Sequence, residues 1–235
     1  MNKKIGIIIY ARTSSKRFPN KIFKKIIGLK MIEIILKRAK KINLKKYNYE
    51  IIVNTSVNKS DDKIVKFCKK NKIKYFRGNL TNVFKRTYGC LKKNNYKFFT
   101  RINCDRPLLD FEMISRMINL ILKRKNIDIV SNCTGAYPKG LACEVARSRI
   151  FFDNFNLIKT KNNKEHIFNF FYKNEKRFKI LKISDKLYQR HSNINLSVDK
   201  KKDLKKIIKI FEFFKKNYLI ATRIVLKNIK NIKLE

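Results

Sequence analysis

Short runs of β-branched residues alternate along the chain with longer stretches whose apolar positions recur at helical spacing. Residues 5–10 (IGIIIY) are a continuous apolar run, the mark of a strand covered on both faces. Over 31–41, apolar Met31, Ile34, Ile35 and Ala39 fall on one side of a helix. The alternation continues with a strand at 51–54, a helix at 61–71 and a strand at 73–76. Ser60 is the expected N-cap of that helix, with acidic residues in its first turn. A helix at 83–93, a strand at 98–103, a helix from 111 to 124 capped by Asp110 and a strand at 127–133 follow. This β-α repetition predicts an α/β protein: a parallel sheet covered by helices, with right-handed crossovers.

The rhythm changes after Cys133, where Gly135, Pro138 and Gly140 punctuate a loop. Beyond it the pattern predicts strands at 141–146, 178–183 and 194–198 and helices near 148–155, 165–172 and 199–216. Residues 217–235 are a basic, apolar mixture expected to pack on the rest as strand or helix. No linker or repeat interrupts the series, so 1–235 reads as one domain.

Composition narrows the class. Apolar residues are 44% of the 235, enough for a real core, and this excludes wholesale disorder. No apolar run approaches the ~18 residues of a membrane-spanning helix. The opening MNKKIGIIIYAR resembles a signal peptide only briefly, because its apolar run stops at Arg12 with no small-residue cleavage site. The cysteines (Cys68, Cys90, Cys104, Cys133, Cys143) are scattered and odd in number, with no C-x-x-C pair. They indicate neither a zinc ribbon nor a disulfide framework, and they point to a reduced, cytoplasmic setting.

The net charge of +42 raises the possibility of a polyanionic partner. Only 14 of the 59 basic residues are arginine, and the lysines spread over the whole chain. With Lys, Ile and Asn dominating together, this is the signature of a biased composition, and solvated lysines on helix faces are ordinary. No RNA-recognition aromatic motif or zinc-finger spacing is present, so no specific nucleic-acid partner is expected.

Three segments carry candidate chemistry. The loop after the first strand, ARTSSKRFPNK (11–21), holds Arg12, Lys16, Arg17, Lys21 and the hydroxyls of Thr13, Ser14 and Ser15. In open α/β sheets ligands bind at the carboxyl ends of strands, and this set suits a triphosphate: forked bonds from Arg, a point charge from Lys, hydroxyls on the remaining oxygens. It is not a Walker loop, since no G-K-[ST] occurs. The second segment is RINCDRPLLD (101–110), in which Asp105 falls just past a hydrophobic strand. Asp105 reads either as a Mg²⁺ carboxylate or as a solvated turn residue. In the third, NLSVD (195–199), Asp199 reads as a second metal carboxylate or, by local pattern, as the N-cap of the last long helix. His166 and His191, the two histidines, assemble no Ser-His-Asp or Cys-His set.

Taken in order, these segments resemble the cytidylyltransferases that activate acidic sugars. The resemblance is to the acylneuraminate and 3-deoxy-manno-octulosonate type, most closely the spore-coat polysaccharide F-like branch. ARTSSKRFPNK is similar to that branch's A-R-x-x-S-x-R-L-P-G-K, FRGNLTNVFKR to F-R-G-x-x-x-D-V-L-x-R, and RINCDRPLLD to R-x-T-G-D-C-P-L-x-D. YPKGLACEV is similar to Y-P-x-G-L-D-x-E-V, NKEHIFNFF to R-E-H-V-T-x-Y-I, and LSVDKKKDL to L-T-V-D-x-x-x-D-L. Departures are Asn20 for a turn glycine, Asn82 for an acid, Cys104 and Arg106 around Asp105, and Ala142 for the acid of G-L-D.

The resemblance implies a nucleotide-diphospho-sugar-transferase-like, Rossmann-like fold with a mostly parallel sheet and helices on both faces. It implies CTP and Mg²⁺, transfer of CMP to a sugar-acid hydroxyl, release of pyrophosphate, and a homodimer. Carried over by position, Arg12, Ser14, Arg17 and Lys21 would bind the CTP phosphates, with Arg12, Lys21 and Asp105 catalytic. Arg77 and Gly78 would lie near the nucleotide, Asp105 and Asp199 would hold Mg²⁺, and Glu144, Glu165 and His166 would face the sugar. Two further readings stay open: a glycosyltransferase or other nucleotide-sugar transferase on the same fold, and an inert polyanion-binding homologue.

Overall fold

The structure, a computed structural model, describes residues 4–15, 17–44, 47–133 and 135–234. A seven-stranded sheet runs through it in the order β5-β4-β1-β6-β8-β7-β9. The strands are β1 (Ile5–Tyr10), β4 (Tyr49–Ser56), β5 (Lys74–Gly78), β6 (Phe98–Asn103), β7 (Ile129–Ser131), β8 (Glu144–Arg147) and β9 (Ile180–Lys182). All neighbours pair parallel except β8, which runs antiparallel to both β6 and β7. The two-residue strands β2 (Lys25–Ile26) and β3 (Leu29–Lys30) form a separate hairpin ahead of α1 (Met31–Ala39).

Alternation along the strands divides the core in two. Ile5, Ile7 and Ile9 of β1 face one side, where α1, α2 (Asp62–Lys70), α4 (Phe111–Lys123), α9 (Lys201–Phe213) and α10 (Thr222–Asn228) pack. Ile8 faces the other, against Phe84 and Leu91 of α3 (Val83–Asn94), Ile150 and Phe151 of α5 (Arg149–Asp153) and Phe170 and Phe171 of α7 (Asn169–Lys173). The helices α6 (Lys161–Glu165) and α8 (Lys186–Gln189) complete the set. Gly6 lies under the Tyr96 ring, and a Cβ there would stand 2.6 Å from a ring carbon. The expected α/β layering with helices on both faces is therefore present.

The differences from the sequence reading have local causes. A helix at 165–172 is interrupted: α6 ends at Glu165, and α7 begins only at Asn169. Residues 194–198 are not a strand of the sheet, having one isolated bridge, Asn195 to Lys139. The helix at 61–71 begins at Asp62, after a 3-10 turn over Lys59–Asp61 capped by Asn58, so Ser60 is not its N-cap. The chain after 217 is helical, in α10 and a 3-10 turn over Ile229–Asn231. Among the described residues no helix is long and apolar enough to cross a membrane.

Candidate active site

Strands β5, β4, β1 and β6 run parallel, so their carboxyl ends share one edge of the sheet, and the basic loop leaves β1 there. Thr13 sets the shape of this loop. Its N–H donates to Asp61 Oδ1 at 2.7 Å, and its hydroxyl lies 2.8 Å from the same oxygen and 2.9 Å from the Ser60 carbonyl. Its carbonyl accepts from the N–H groups of Ser15 at 2.9 Å and Asn20 at 3.1 Å. With Thr13 buried, Arg12 and Ser14 on either side are turned to solvent. One of the hydroxyls read as a phosphate ligand thus faces inward, while Ser14 faces out. Lys16 lies outside the described residues. Asn20 adopts a left-handed conformation (φ 54°), which asparagine tolerates better than most side chains and which a glycine would adopt freely.

That turn delivers Lys21 into a cluster of ions. Its Nζ donates to Asp105 Oδ2 at 2.7 Å, to the Val198 carbonyl at 2.9 Å and to Asp199 Oδ1 at 3.2 Å. Arg17 reaches Asp199 Oδ1 at 3.3 Å, and Lys139 reaches Asp199 Oδ2 at 2.8 Å. The Lys21 side chain is only 11% exposed and that of Asp199 13%, whereas Arg17 is open to solvent. Burial alone would raise the Asp199 pKa; hydrogen bonds from Lys139 and Lys21 outweigh it and hold the carboxyl at about 2. Asp105 follows the end of β6 in a turn.

Asp199 arrives by another route than a strand end. The Val198 N–H donates to the Asp105 carbonyl at 2.8 Å, and the 194–198 segment lies along Lys139 through Lys139 N–H to Ile194 and Leu196 N–H to Lys139. Gly140 (φ 103°) permits this approach, since a Cβ there would fall 2.7 Å from the backbone of Leu196 and Ser197. Nor is Asp199 the helix cap. Lys200 holds the N-cap position, and the buried Asp203 carboxylate, in the first turn, reaches back to accept the N–H groups of Asp199 at 2.9 Å and Lys200 at 2.8 Å. Asp199 is left to face the cations.

The remaining candidates are more dispersed. Gly78 ends β5 opposite Ser56, and a Cβ there would meet the Arg86 side chain at 2.7 Å. The Arg77 guanidinium is engaged by the Ser56 carbonyl at 2.9 Å, the Asn58 carbonyl at 3.1 Å and Asp62 at 2.7 Å, bracing the corner after β4. Glu144 is buried at the start of β8, opposite Ser131, whose hydroxyl is 2.6 Å from the Tyr172 hydroxyl. Beside it, burial first and then the Glu144 charge push the Cys133 thiol up to about 12. Glu165 and His166 are exposed at the end of α6, on the α3 side of the sheet.

The structure thus brings Arg17, Lys21, Asp105 and Asp199 into one cluster, with Arg12 and Ser14 on the same loop. Sequence reasoning missed Lys139, one more lysine in a lysine-rich chain, and Asp61, which reads as a first-turn helix acid; Asp203 lies within the LSVDKKKDL segment but is given no role there. Two oxygen ligands converging on a single cation, with no third His, Cys, Asp or Glu joining them among the described residues, suit a Mg²⁺ that completes its shell with phosphate and water.

A family model described as cytidylyltransferase matches residues 6–233. An uncharacterized protein of Methanocaldococcus jannaschii is 34% identical over 211 residues, 90% of this chain and 84% of that one. A 3-deoxy-manno-octulosonate cytidylyltransferase of Fusobacterium nucleatum is 31% identical over 124 residues, 53% of this chain and 49% of the relative. Among solved structures, that of a cytidylyltransferase from Leptospira borgpetersenii superposes with a TM-score of 0.89 at 23% identity, covering 98% of this chain and 95% of the other. That likeness carries the fold, the nucleotide-diphospho-sugar-transferase-like sheet anticipated from the motifs.

Proposed function

The chain belongs to the cytidylyltransferase family and is a CTP-dependent nucleotidyltransferase, and from that premise we propose that it transfers CMP from CTP to a sugar-acid hydroxyl. The observation that carries this reading is the meeting of Lys21, Asp105 and Asp199, with the solvent-facing Arg12, Ser14 and Arg17 on the loop that delivers Lys21.

In this reading the exposed Arg12 and Arg17 guanidiniums and the Ser14 hydroxyl bind the triphosphate. Forked and charge-assisted hydrogen bonds fix its orientation on the sheet edge. The acceptor hydroxyl oxygen forms a bond to the α-phosphorus as the bond from that phosphorus to the bridging oxygen breaks. CMP stays on the sugar, pyrophosphate departs, and the hydroxyl proton is released. Arg12 and Lys21 offset the charge that grows on the departing oxygens. Asp105 and Asp199 would hold Mg²⁺, which supplies Lewis acidity toward the phosphate oxygens when bound. Lys21, held between the two carboxylates, would lie within reach of the phosphates. Arg77 and Gly78, at the end of β5, border the nucleotide. Glu144, Glu165 and His166 are assigned to the sugar side, with two copies of the chain forming the working unit.

Pyrophosphate release tests this directly, measured with CTP, UTP, GTP and ATP against a panel of sugar acids and neutral sugars in Mg²⁺. Turnover with CTP and an acidic sugar is expected. Turnover with neutral sugars alone, or with another nucleotide in preference to CTP, would overturn it.

A further inference from the structure

In the loop that presents Arg12, Ser14 and Arg17, Thr13 is tied to the corner after the neighbouring strand by the Asp61 carboxylate and the Ser60 carbonyl. Asp61 is fully buried, and each of its oxygens accepts from a different part of the fold. Oδ1 takes the N–H and the hydroxyl of Thr13, at 2.7 and 2.8 Å. Oδ2 takes the hydroxyl and the N–H of Ser56 at the end of β4, at 2.5 and 3.3 Å. Asp61 therefore clamps the loop after β1 to the neighbouring parallel strand.

Arg77 supports the clamp from outside, through the Ser56 and Asn58 carbonyls and Asp62. A buried carboxylate is costly unless its lone pairs are filled, and here donors from the two segments it joins fill them. Releasing the clamp removes the two contacts with Asp61 Oδ1 that fix the Thr13 N–H and hydroxyl. The Thr13 carbonyl is the acceptor for both Ser15 and Asn20, so the whole turn that delivers Lys21 would lose its reference point.

We infer that Asp61 is the positioning residue of the nucleotide loop: through Thr13 it holds Arg12 and Ser14 outward and Lys21 inward, before any ligand arrives. This rests on the reading that the loop binds the CTP triphosphate. Because the clamp acts on the loop in free and liganded protein alike, its loss lowers the fraction of binding-competent loop. Apparent affinity falls in the same proportion, so the effect falls on KM more than on kcat.

The test is Asp61→Asn, with the pair Thr13→Ser and Thr13→Val beside it. Asn keeps the shape but offers donors where the Ser56 N–H needs an acceptor. Ser keeps the Thr13 hydroxyl, and Val removes it. The expected result for Asp61→Asn and Thr13→Val is a rise of about tenfold in the Kd and KM for CTP with a much smaller change in kcat. Amide hydrogen exchange should become faster at residues 13–20, and Thr13→Ser should behave as wild type. Should Asp61→Asn not fold, the contrast between Ser and Val at position 13 decides the matter. Folded variants with wild-type CTP affinity and unchanged exchange over 13–20 would overturn the inference. A wild-type protein that binds no CTP would instead sink the proposed function, and the exchange measurement would still judge the clamp.

Discussion

Asp105 and Asp199 meet on one nitrogen, Lys21 Nζ, which donates to both carboxylates and to the Val198 carbonyl between them. Distant segments of the chain bring the three residues together, so the cluster is a product of the fold. It places two oxygen ligands and a cation at the carboxyl edge of the parallel strands, where open α/β sheets bind their ligands.

Lys21→Ala and Asp105→Asn should each lower CTP-dependent pyrophosphate release by about 10²–10³, the usual consequence of removing one charge-stabilising group from an organised site. Both side chains sit at the sheet edge, so circular dichroism should show a folded protein. Asp199→Asn should cost a comparable amount. Asparagine would keep no cap role there, because Lys200 holds the N-cap position and Asp203 accepts the N–H groups of Asp199 and Lys200. Rates near wild type in all three variants would refute the assignment.

Acid stability provides a second measure of the same cluster. Asp199 is held at about 2, below its ordinary 3.8, because Lys139 and Lys21 outweigh the effect of burial. The native carboxyl then binds fewer protons than the unfolded one, so its contribution is fully present above about pH 4 and is lost as the pH falls toward 2. The stability difference between wild type and Asp199→Asn, from denaturant titrations, should be constant at neutral pH and shrink across that window. A difference unchanged down to pH 2 would mean that the ion cluster does not form in solution.

Sequence pattern was enough for the centre of the sheet because β1 is a continuous apolar run and β6 a short run rich in aromatic and β-branched residues, and their ends in the structure match those expected, 5–10 and 98–103. The position of the basic loop was legible for the same reason: it follows β1. The 194–198 segment is apolar enough to pass for a strand, yet it is held by two backbone bonds to Lys139 and one to Asp105, which no periodicity encodes. Asp61 was legible only as a helix-start acid, since its task depends on Thr13 and Ser56, and Asp203 only as the second acid of LSVDKKKDL. Lys139 was hidden by composition.

Asn20 occupies the position where similar sequences carry glycine, and its φ of 54° explains the pairing. Asn20→Gly should leave stability within about 0.5 kcal/mol, while Asn20→Val should cost about 1–2 kcal/mol, the price of the left-handed region for a β-branched side chain. Thermal melts of the two variants check this. Equal melting temperatures would show that the turn relaxes to another shape.

The charge of +42 should appear as weak, salt-sensitive binding to duplex DNA, with Kd in the non-specific range of ~10⁻⁴–10⁻⁶ M and no sequence preference. Fluorescence anisotropy across a salt series measures it. Tight, sequence-selective binding that survives salt would promote a nucleic-acid role that the site chemistry does not call for.

Gly140 and Gly135 offer a matched comparison that ties the backbone to the chemistry. Both have positive φ, 103° and 75°, so an alanine at either pays about 1–2 kcal/mol for the left-handed region. At Gly135 an added Cβ meets nothing within 4 Å among the described residues, whereas at Gly140 it falls 2.7 Å from the Leu196 carbonyl carbon and the Ser197 nitrogen. That contact is with backbone, which cannot swing aside as a side chain does. Gly140→Ala must therefore push the 194–198 segment away from Lys139, and Asp199 moves with it, off the nitrogen it shares with Asp105. Gly135→Ala should lose stability and keep its rate per folded molecule. Gly140→Ala should lose more stability, and its pyrophosphate release per folded molecule should fall at least tenfold, toward that of Asp199→Asn. Equal rates in the two alanine variants, measured at a temperature where both are folded, would show that the packing of Gly140 against Leu196 does not set the position of Asp199.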